Sequence, residues 1–275
     1  MRCAWKELLS ILPDWMRADV DELGKDSLQE LRLRIGHPPE LVRMGNDKLL
    51  CRNIQEQDLS YIVNMASRYS PWAATTSAQG YLTAPGGHRI GLCGEAVIQR
   101  CTMTGLRQIS SLCIRIARDL PGIAQSLGHL DGSVLIIGRP GSGKTTLLRD
   151  LIRYRSRKEC VAVVDERGEI FPQGFDIGSR TDILTGCPKP HGIDILLRTM
   201  GPSTIAVDEI TAASDCQAMI RAGWCGVRLL ATAHAASRAD LESRPVYRPL
   251  VGSKLFDSIV ILRSDKSWRL ERMEL

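Results

Sequence analysis

Two patterns of apolar and polar positions divide the chain near residue 120. Before it, alternating runs and amphipathic stretches are mixed. In residues 1–30, Leu8, Leu9, Ile11 and Leu12 form an apolar patch, Pro13 breaks it, and Leu23, Leu28 and Leu31 resume it, which predicts one or two helices. Residues 31–35 alternate strictly (Leu-Arg-Leu-Arg-Ile) and predict a half-buried strand. His37-Pro38-Pro39 turns the chain. Leu41-Val42 and residues 48–51 predict short strands around the Gly45-Asn46-Asp47 turn. Leu59, Ile62, Val63 and Ala66 fall at helical spacing within 57–69. Residues 80–83 and 89–94 flank Pro85-Gly86-Gly87, a hairpin signal, and 95–99 and 111–117 offer further strands, with Arg115 opposite the apolar side of the second. The expectation for 1–120 is a small α+β domain that joins the rest near Pro121-Gly122.

After that junction the pattern becomes strand-helix alternation, as a parallel sheet requires. Strands are expected at 133–138, 160–165, 204–208, 227–233 and 258–262, with an edge strand at 268–273. Helices are expected near 144–155, 190–200, 214–223 and 248–256. Residues 121–275 thus read as an α/β domain with a mostly parallel sheet.

The first junction of strand and helix in this half carries chemistry. Residues 138–145 read GRPGSGKT and match G-x-x-x-x-G-K-[ST] at every fixed position. Gly141 and Gly143 let the backbone curl without Cβ clashes, so its N–H groups and the helix N-terminus converge on one spot that favours an anion. Gly138, Arg139, Pro140, Gly141, Ser142, Gly143, Lys144, Thr145 and Thr146 are therefore the expected phosphate-binding residues. Lys144 is expected to reach the β- and γ-phosphates, and the Thr145 hydroxyl to sit on Mg²⁺. A dinucleotide fingerprint is not met, because Thr146 stands where its third glycine belongs.

Three more apolar strands end in polar residues. Residues 204–207 lead to Asp208 and Glu209: Asp208 is placed to join Thr145 at the metal, and Glu209 to orient or deprotonate a water. Residues 161–164 lead to Asp165, Glu166 and, beyond them, Glu169. These acids either stand beside the γ-phosphate, with Glu166 a rival for the water, or pair with Arg167 and Arg180. Residues 229–233 lead to His234, with Thr232 just before it: a γ-phosphate sensor or a hydrogen-bonded structural histidine.

Composition adds limits. The net charge of +5 permits an anionic partner without demanding one. Aromatic content of 5% supplies few platforms for stacked bases, and no clustered basic stripe or helix-turn-helix signal is present, so no specific nucleic-acid partner is expected. Nine scattered cysteines without a C-x-x-C argue against a disulfide framework or zinc knuckle and for a reducing, cytoplasmic setting. The N-terminus lacks the apolar core of a signal peptide, and no run nears the roughly eighteen apolar residues of a membrane span. Any membrane association is expected to be peripheral or through partners.

The four motifs in this order resemble the secretion and pilus-motor ATPases of the RecA-like P-loop group, as does the run 196–202 (LLRTMGP) before the second acidic strand. Residues 81–91 (YLTAPGGHRIG), 109–117 (ISSLCIRIA), 165–170 (DERGEI) and 180–182 (RTD) resemble more closely the stage III sporulation protein AA family of endospore-forming bacteria. Those resemblances imply a RecA-like P-loop core that binds ATP and Mg²⁺ and hydrolyses ATP. They imply a cytoplasmic homo-hexamer docked on integral membrane proteins of a channel between mother cell and forespore. A nucleotide-gated scaffold with little turnover is the alternative. The chain departs from the family at residues 211–214 (TAAS), where a glycine and more charge are expected, and at Cys113, where a polar residue is expected. No arginine stands at a recognisable spacing beside the γ-phosphate, so Arg89, Arg115, Arg118, Arg180 and Arg198 are candidates to act on a neighbouring subunit's nucleotide.

Overall fold

A computed structural model describes residues 3–43, 46–67, 80–99, 101–172 and 174–273. The chain forms two compact units, one of Met1–Asp119 with Pro172–Gly174 and the other of Leu120–Phe171 with Phe175–Leu275.

In the first unit, helices α1 (Trp5–Ile11), α2 (Asp14–Ser27) and α3 (Glu56–Ser67) accompany a six-stranded antiparallel sheet of order β3-β2-β1-β6-β5-β4. Its strands are β1 (Leu28–Arg34), β2 (Glu40–Arg43), β3 (Lys48–Leu49), β4 (Tyr81–Thr83), β5 (Arg89–Gln99) and β6 (Thr102–Arg115). The alternation holds over Leu31–Arg34, with Leu31 and Leu33 inward and Arg32 and Arg34 exposed, but β1 begins at Leu28, which was expected in the helical patch, and Ile35, expected on the inward side, lies beyond the strand and is exposed. The inward leucines pack with Leu8, Ile11, Met16, Leu59 and Ile62 of the helices, and with Ile90 and Ile114 of the hairpin strands. The Pro85-Gly86-Gly87 hairpin joins β4 to β5 as expected.

The strands expected at 89–94 and 95–99 are one strand, β5, and 111–117 falls on the end of β6. In the long β5–β6 hairpin 111–115 pairs with 89–93, while 95–99 pairs with residues 102–107, which were not expected as strand. Beyond Cys93 and Ser110, its strands pair with one another alone among the described residues. That distal ribbon lacks apolar alternation because most of its positions face solvent. Gly45, and Arg68 and Tyr69 at the end of the helix expected over 57–69, lie outside the described residues.

The second unit is α/β. Its seven-stranded sheet has the order β13-β12-β7-β11-β10-β8-β9, parallel throughout except for the antiparallel edge strand β13. The strands are β7 (Val134–Gly138), β8 (Val161–Asp165), β9 (Thr181–Thr185), β10 (Thr204–Ile210), β11 (Arg228–Ala233), β12 (Ser258–Leu262) and β13 (Trp268–Arg272). The helices are α4 (Lys144–Ser156), α5 (Lys189–Thr199), α6 (Ala213–Trp224), α7 (Arg238–Ser243) and α8 (Arg248–Gly252).

Every residue of β7 and β8 is buried, because helices cover both faces of the sheet. Val134 and Ile136 face one core with Leu147, Leu148 and Leu151 of α4. Leu135 and Ile137 face the other core with Ile193 of α5 and Met219 of α6. Each such side chain contributes about 1.5–3 kcal/mol of burial. Strand β9 and helix α7 were not expected. β9 is a half-exposed edge strand with polar Thr181, Asp182 and Thr185, so it carries no apolar run. α7 is a short helix that buries only Leu241, and its signal is the Ser237 cap, which accepts from the Asp240 N–H at 3.1 Å. The helix expected over 248–256 stops at Gly252, and Lys254 just beyond sits at φ 54, outside helical space.

Candidate functional site

Parallel strands deliver their C-terminal ends to one edge of the sheet, where ligands of such folds bind. Gly138, Asp165, Asp208 and Ala233 all lie at that edge, on strands in the spatial order β7-β11-β10-β8. The turn from β7 into α4 is the GRPGSGKT loop. Gly143 at its end has φ 102, which an L side chain rarely adopts. Gly138 has no room for a Cβ, which would lie 2.9 Å from the Leu262 carbonyl of β12.

Lys144 is the first residue of α4 and is buried. Its ammonium donates to the carbonyls of Gly138 and Arg139, each at 3.1 Å, and lies 3.1 Å from Nδ1 of His234. Burial pushes its pKa below the usual lysine value, against the pull of Asp208 and Glu209. The loop lysine is thus folded onto its own loop and joined to the end of β11. The next residue, Thr145, donates from Oγ1 to Asp208 at 2.6 Å. Thr232 donates to the other oxygen of Asp208. The pair expected at the metal, Thr145 and Asp208, is brought together.

A strand's alternation turns neighbouring residues to opposite faces, so Asp208 and Glu209 should not both serve one site. The structure resolves this with an irregularity: the β10–β11 register shifts between Val207 and Ile210, and Glu209 has φ 56. A non-glycine residue in that region costs about 1–3 kcal/mol. The Thr232 hydroxyl helps hold the distortion by accepting from the Glu209 N–H at 2.8 Å. Glu209 then places one carboxylate oxygen 2.7 Å from His234 Nε2 and the other 2.9 Å from Arg167 Nη1. Burial alone would raise the Glu209 pKa. The His234 hydrogen bond and the charges of Arg167 and Lys144 outweigh it and leave the carboxyl below its usual range. With the Lys144 ammonium donating to Nδ1, His234 carries its proton on Nε2 and donates it to Glu209.

The acidic box after β8, made of Asp165, Glu166 and Glu169, behaves differently. Asp165 is buried and accepts backbone N–H groups from Glu169 and Ile170 at 2.9 Å and Phe171 at 3.2 Å, so it shapes the loop after β8. Burial raises its pKa despite those three donors. Glu166 pairs with Lys189 at the start of α5, at 2.6 Å. Glu169 contributes its carbonyl to Arg149 of α4. Arg167 turns away from its own box to Glu209, and Arg180 donates to the Lys158 carbonyl at the opposite edge of the sheet.

Among the other arginine candidates, Arg89 lies over the Tyr81 ring, Arg115 pairs with Glu30, Arg118 donates to the Lys25 and Leu28 carbonyls, and Arg198 is exposed near the end of α5. Sequence reasoning missed two cations at the site. Arg167 follows directly on Asp165-Glu166 and was visible only as a partner for that box. Lys266, in the β12–β13 turn, donates to the Gly141 carbonyl of the phosphate loop, and no motif marks it.

A hydroxyl and a carboxylate are hard oxygen donors and suit Mg²⁺, which keeps most of its ligands as water and phosphate. The described residues contain no group of three His, Cys, Asp or Glu able to hold a metal, and the oxygen donors expected at one, Thr145 and Asp208, stand as a hydrogen-bonded pair. No helix among the described residues is long and apolar enough to cross a membrane.

Comparison with known proteins agrees with the geometry. The family described as "Sporulation stage III, protein AA" matches residues 6–269. Stage III sporulation protein AA of Bacillus subtilis is 36% identical over 281 aligned positions, which cover 94% of this chain and 91% of that protein. Among solved structures, the ATPase DotB of Legionella pneumophila superposes with a TM-score of 0.60 at 19% identity, over 95% of this chain and 80% of that one. The pilus retraction motor PilT with bound ADP gives 0.61 at 16% identity, over 94% and 82%. These two likenesses establish the RecA-like P-loop fold.

Proposed function

The chain belongs to the stage III sporulation protein AA family, and from that premise we propose that it binds MgATP at Gly138–Thr146 and hydrolyses it. The hydrolysis would energise assembly of, or transport through, a membrane complex between mother cell and forespore. The observation that carries the reading is the joining, at one sheet edge, of Lys144, the Thr145–Asp208 pair and the Glu209–His234 pair.

The roles follow from the contacts. Backbone N–H groups of the loop and the α4 N-terminus hold the phosphates. Lys144 exchanges the Gly138 and Arg139 carbonyls for the β- and γ-phosphates. Thr145 and Asp208 would hold magnesium, which when bound neutralises charge on the phosphates. Glu209 orients a water and takes its proton, and the groups that hold its pKa down keep it ionised at neutral pH. His234 bridges Lys144 and Glu209, so it senses whether the lysine has moved to phosphate.

One observation also favours the scaffold reading for the protein on its own. Both Glu209 oxygens and the Lys144 ammonium are already engaged, an arrangement suited to rest. Turnover then depends on assembly, either as a hexamer or on membrane partners at the cytoplasmic face, with an arginine such as Arg115 serving a neighbour's nucleotide. Specific activity is expected to rise steeply with protein concentration. Mixing Arg115→Ala subunits with Lys144→Ala subunits should restore part of the lost hydrolysis, because each supplies what the other lacks. Activity per subunit that stays flat from monomer to oligomer would rule out the dependence on assembly.

Arg167 provides a second test. It helps hold the Glu209 pKa down, and hydrolysis requires the ionised carboxylate. Activity is therefore lost as pH falls through that pKa, and Arg167→Ala should move the acid limb of the rate profile to higher pH. A limb that stays in place, or moves down, would show that the Arg167–Glu209 pair does not tune the base.

A further inference from the structure

The strands of the second unit have another edge, and it is not empty of chemistry. At their N-terminal ends lies a cavity of about 620 Å³, within the range of small-molecule sites. It is built from the end of α4 and the residues that lead into β8, β10 and β11. Lys144 opens α4 and Arg155 lies in its last turn, which separates the cavity from the phosphate loop by roughly 16 Å of helix.

The lining is rich in cations. Arg155, Lys158, Arg180 and Arg228 line it together with two acids, Asp131 and Glu159. Glu159 is already engaged: it accepts from Thr204 at 2.7 Å, pairs with Arg155 at 3.6 Å, and receives Arg228 Nη2. Arg155 forms the buried floor and donates to the Leu130 and Gly132 carbonyls. Its Nε–H has no acceptor among the described residues. The Lys158 ammonium, on an exposed side chain, likewise has no partner there. With four cations and two carboxylates on its lining, the cavity carries more positive charge than its own acids balance, the condition in which an added oxyanion is bound rather than repelled. Tyr154 supplies an apolar wall, with room for more than a bare ion. Its ring packs so closely on Gly128 that a Cβ at that position would meet it at 2.3 Å.

We propose that this cavity is a second ligand site, for a small phosphate-bearing molecule, distinct from the GRPGSGKT loop. The phosphate would sit among Lys158, Arg180 and Arg228 over the Arg155 floor, and the rest of the molecule against Tyr154. Nothing in this assignment depends on ATP hydrolysis at the other edge.

Cys160 provides a local readout, because it is exposed and lines the cavity. The experiment follows maleimide modification of Cys160 in the full-length chain by peptide mass spectrometry, with AMP, ribose 5-phosphate or inorganic phosphate present. Saturating phosphomonoester should slow modification severalfold. If inorganic phosphate protects equally, the oxyanion alone carries the binding; if only the larger probes protect, the Tyr154 wall contributes. Lys158→Glu, at an exposed position, should weaken protection by about tenfold or more, the scale of losing a charge-assisted contact. Lys144→Ala should leave protection unchanged, which separates this site from the phosphate loop. Modification at the same rate with all three probes would overturn the proposal. So would protection that survives Lys158→Glu intact, or that vanishes in Lys144→Ala.

Discussion

Lys144→Ala is expected to abolish ATP binding. The ammonium is held at the mouth of the loop by the Gly138 and Arg139 carbonyls, 3.1 Å away, and these are weaker partners than phosphate. A hydrogen bond between charged groups is worth about 1.5–3 kcal/mol, so losing contacts to two phosphates weakens binding by about a hundredfold or more. Folding should not suffer in the same measure. Burial already disfavours the charged lysine, as its lowered pKa shows, and alanine is a better helix former at the start of α4. Equilibrium titration with a fluorescent ATP analogue measures the effect. Binding as tight as that of the unaltered chain would show that nucleotide does not use this loop.

Glu209→Gln is expected to leave ATP binding intact and to lower hydrolysis by about a hundredfold or more, the usual loss when general-base help is removed. Glutamine preserves the shape at the β10 irregularity and can still meet His234, but it cannot accept a proton from water. Glu166→Gln is the control. Glu166 is engaged by Lys189 at 2.6 Å and by no contact to Lys144, Thr145 or His234, so its loss should cost little. If Glu166→Gln is the crippled variant and Glu209→Gln is not, the box after β8 positions the water instead.

Much of this architecture was legible because local pattern and burial coincide. The run at β7, the glycines and the apolar spacing of α4 specify strand, loop and helix within some twenty residues, and each is confirmed, by the burial of Val134 and Leu147 in one core and by the left-handed backbone of Gly143. The polar ends of β8, β10 and β11 pointed to one edge because parallel strands share direction. What escaped depends on distant partners or on exposure. The β9 edge strand and the first part of β6, residues 102–110, lack an apolar stripe, since solvent covers much of them. The register shift that turns Glu209 toward His234 is a relation between β10 and β11, and no residue type in 204–210 announces it. The Arg167–Glu209 pair joins residues 42 positions apart. Arg167 therefore looked like a partner for its sequence neighbours, as did Arg180, which lies at the other edge altogether.

The measurement that bears most directly on the proposed activity is steady-state phosphate release from MgATP by the full-length chain. It should be taken across the concentrations over which the chain assembles, with Glu209→Gln alongside. The expected result is release that saturates with ATP, requires magnesium, and falls by about a hundredfold in Glu209→Gln while ATP remains bound. Release unaffected by Glu209→Gln, or bound ATP with no release at any concentration, would contradict hydrolysis at this site.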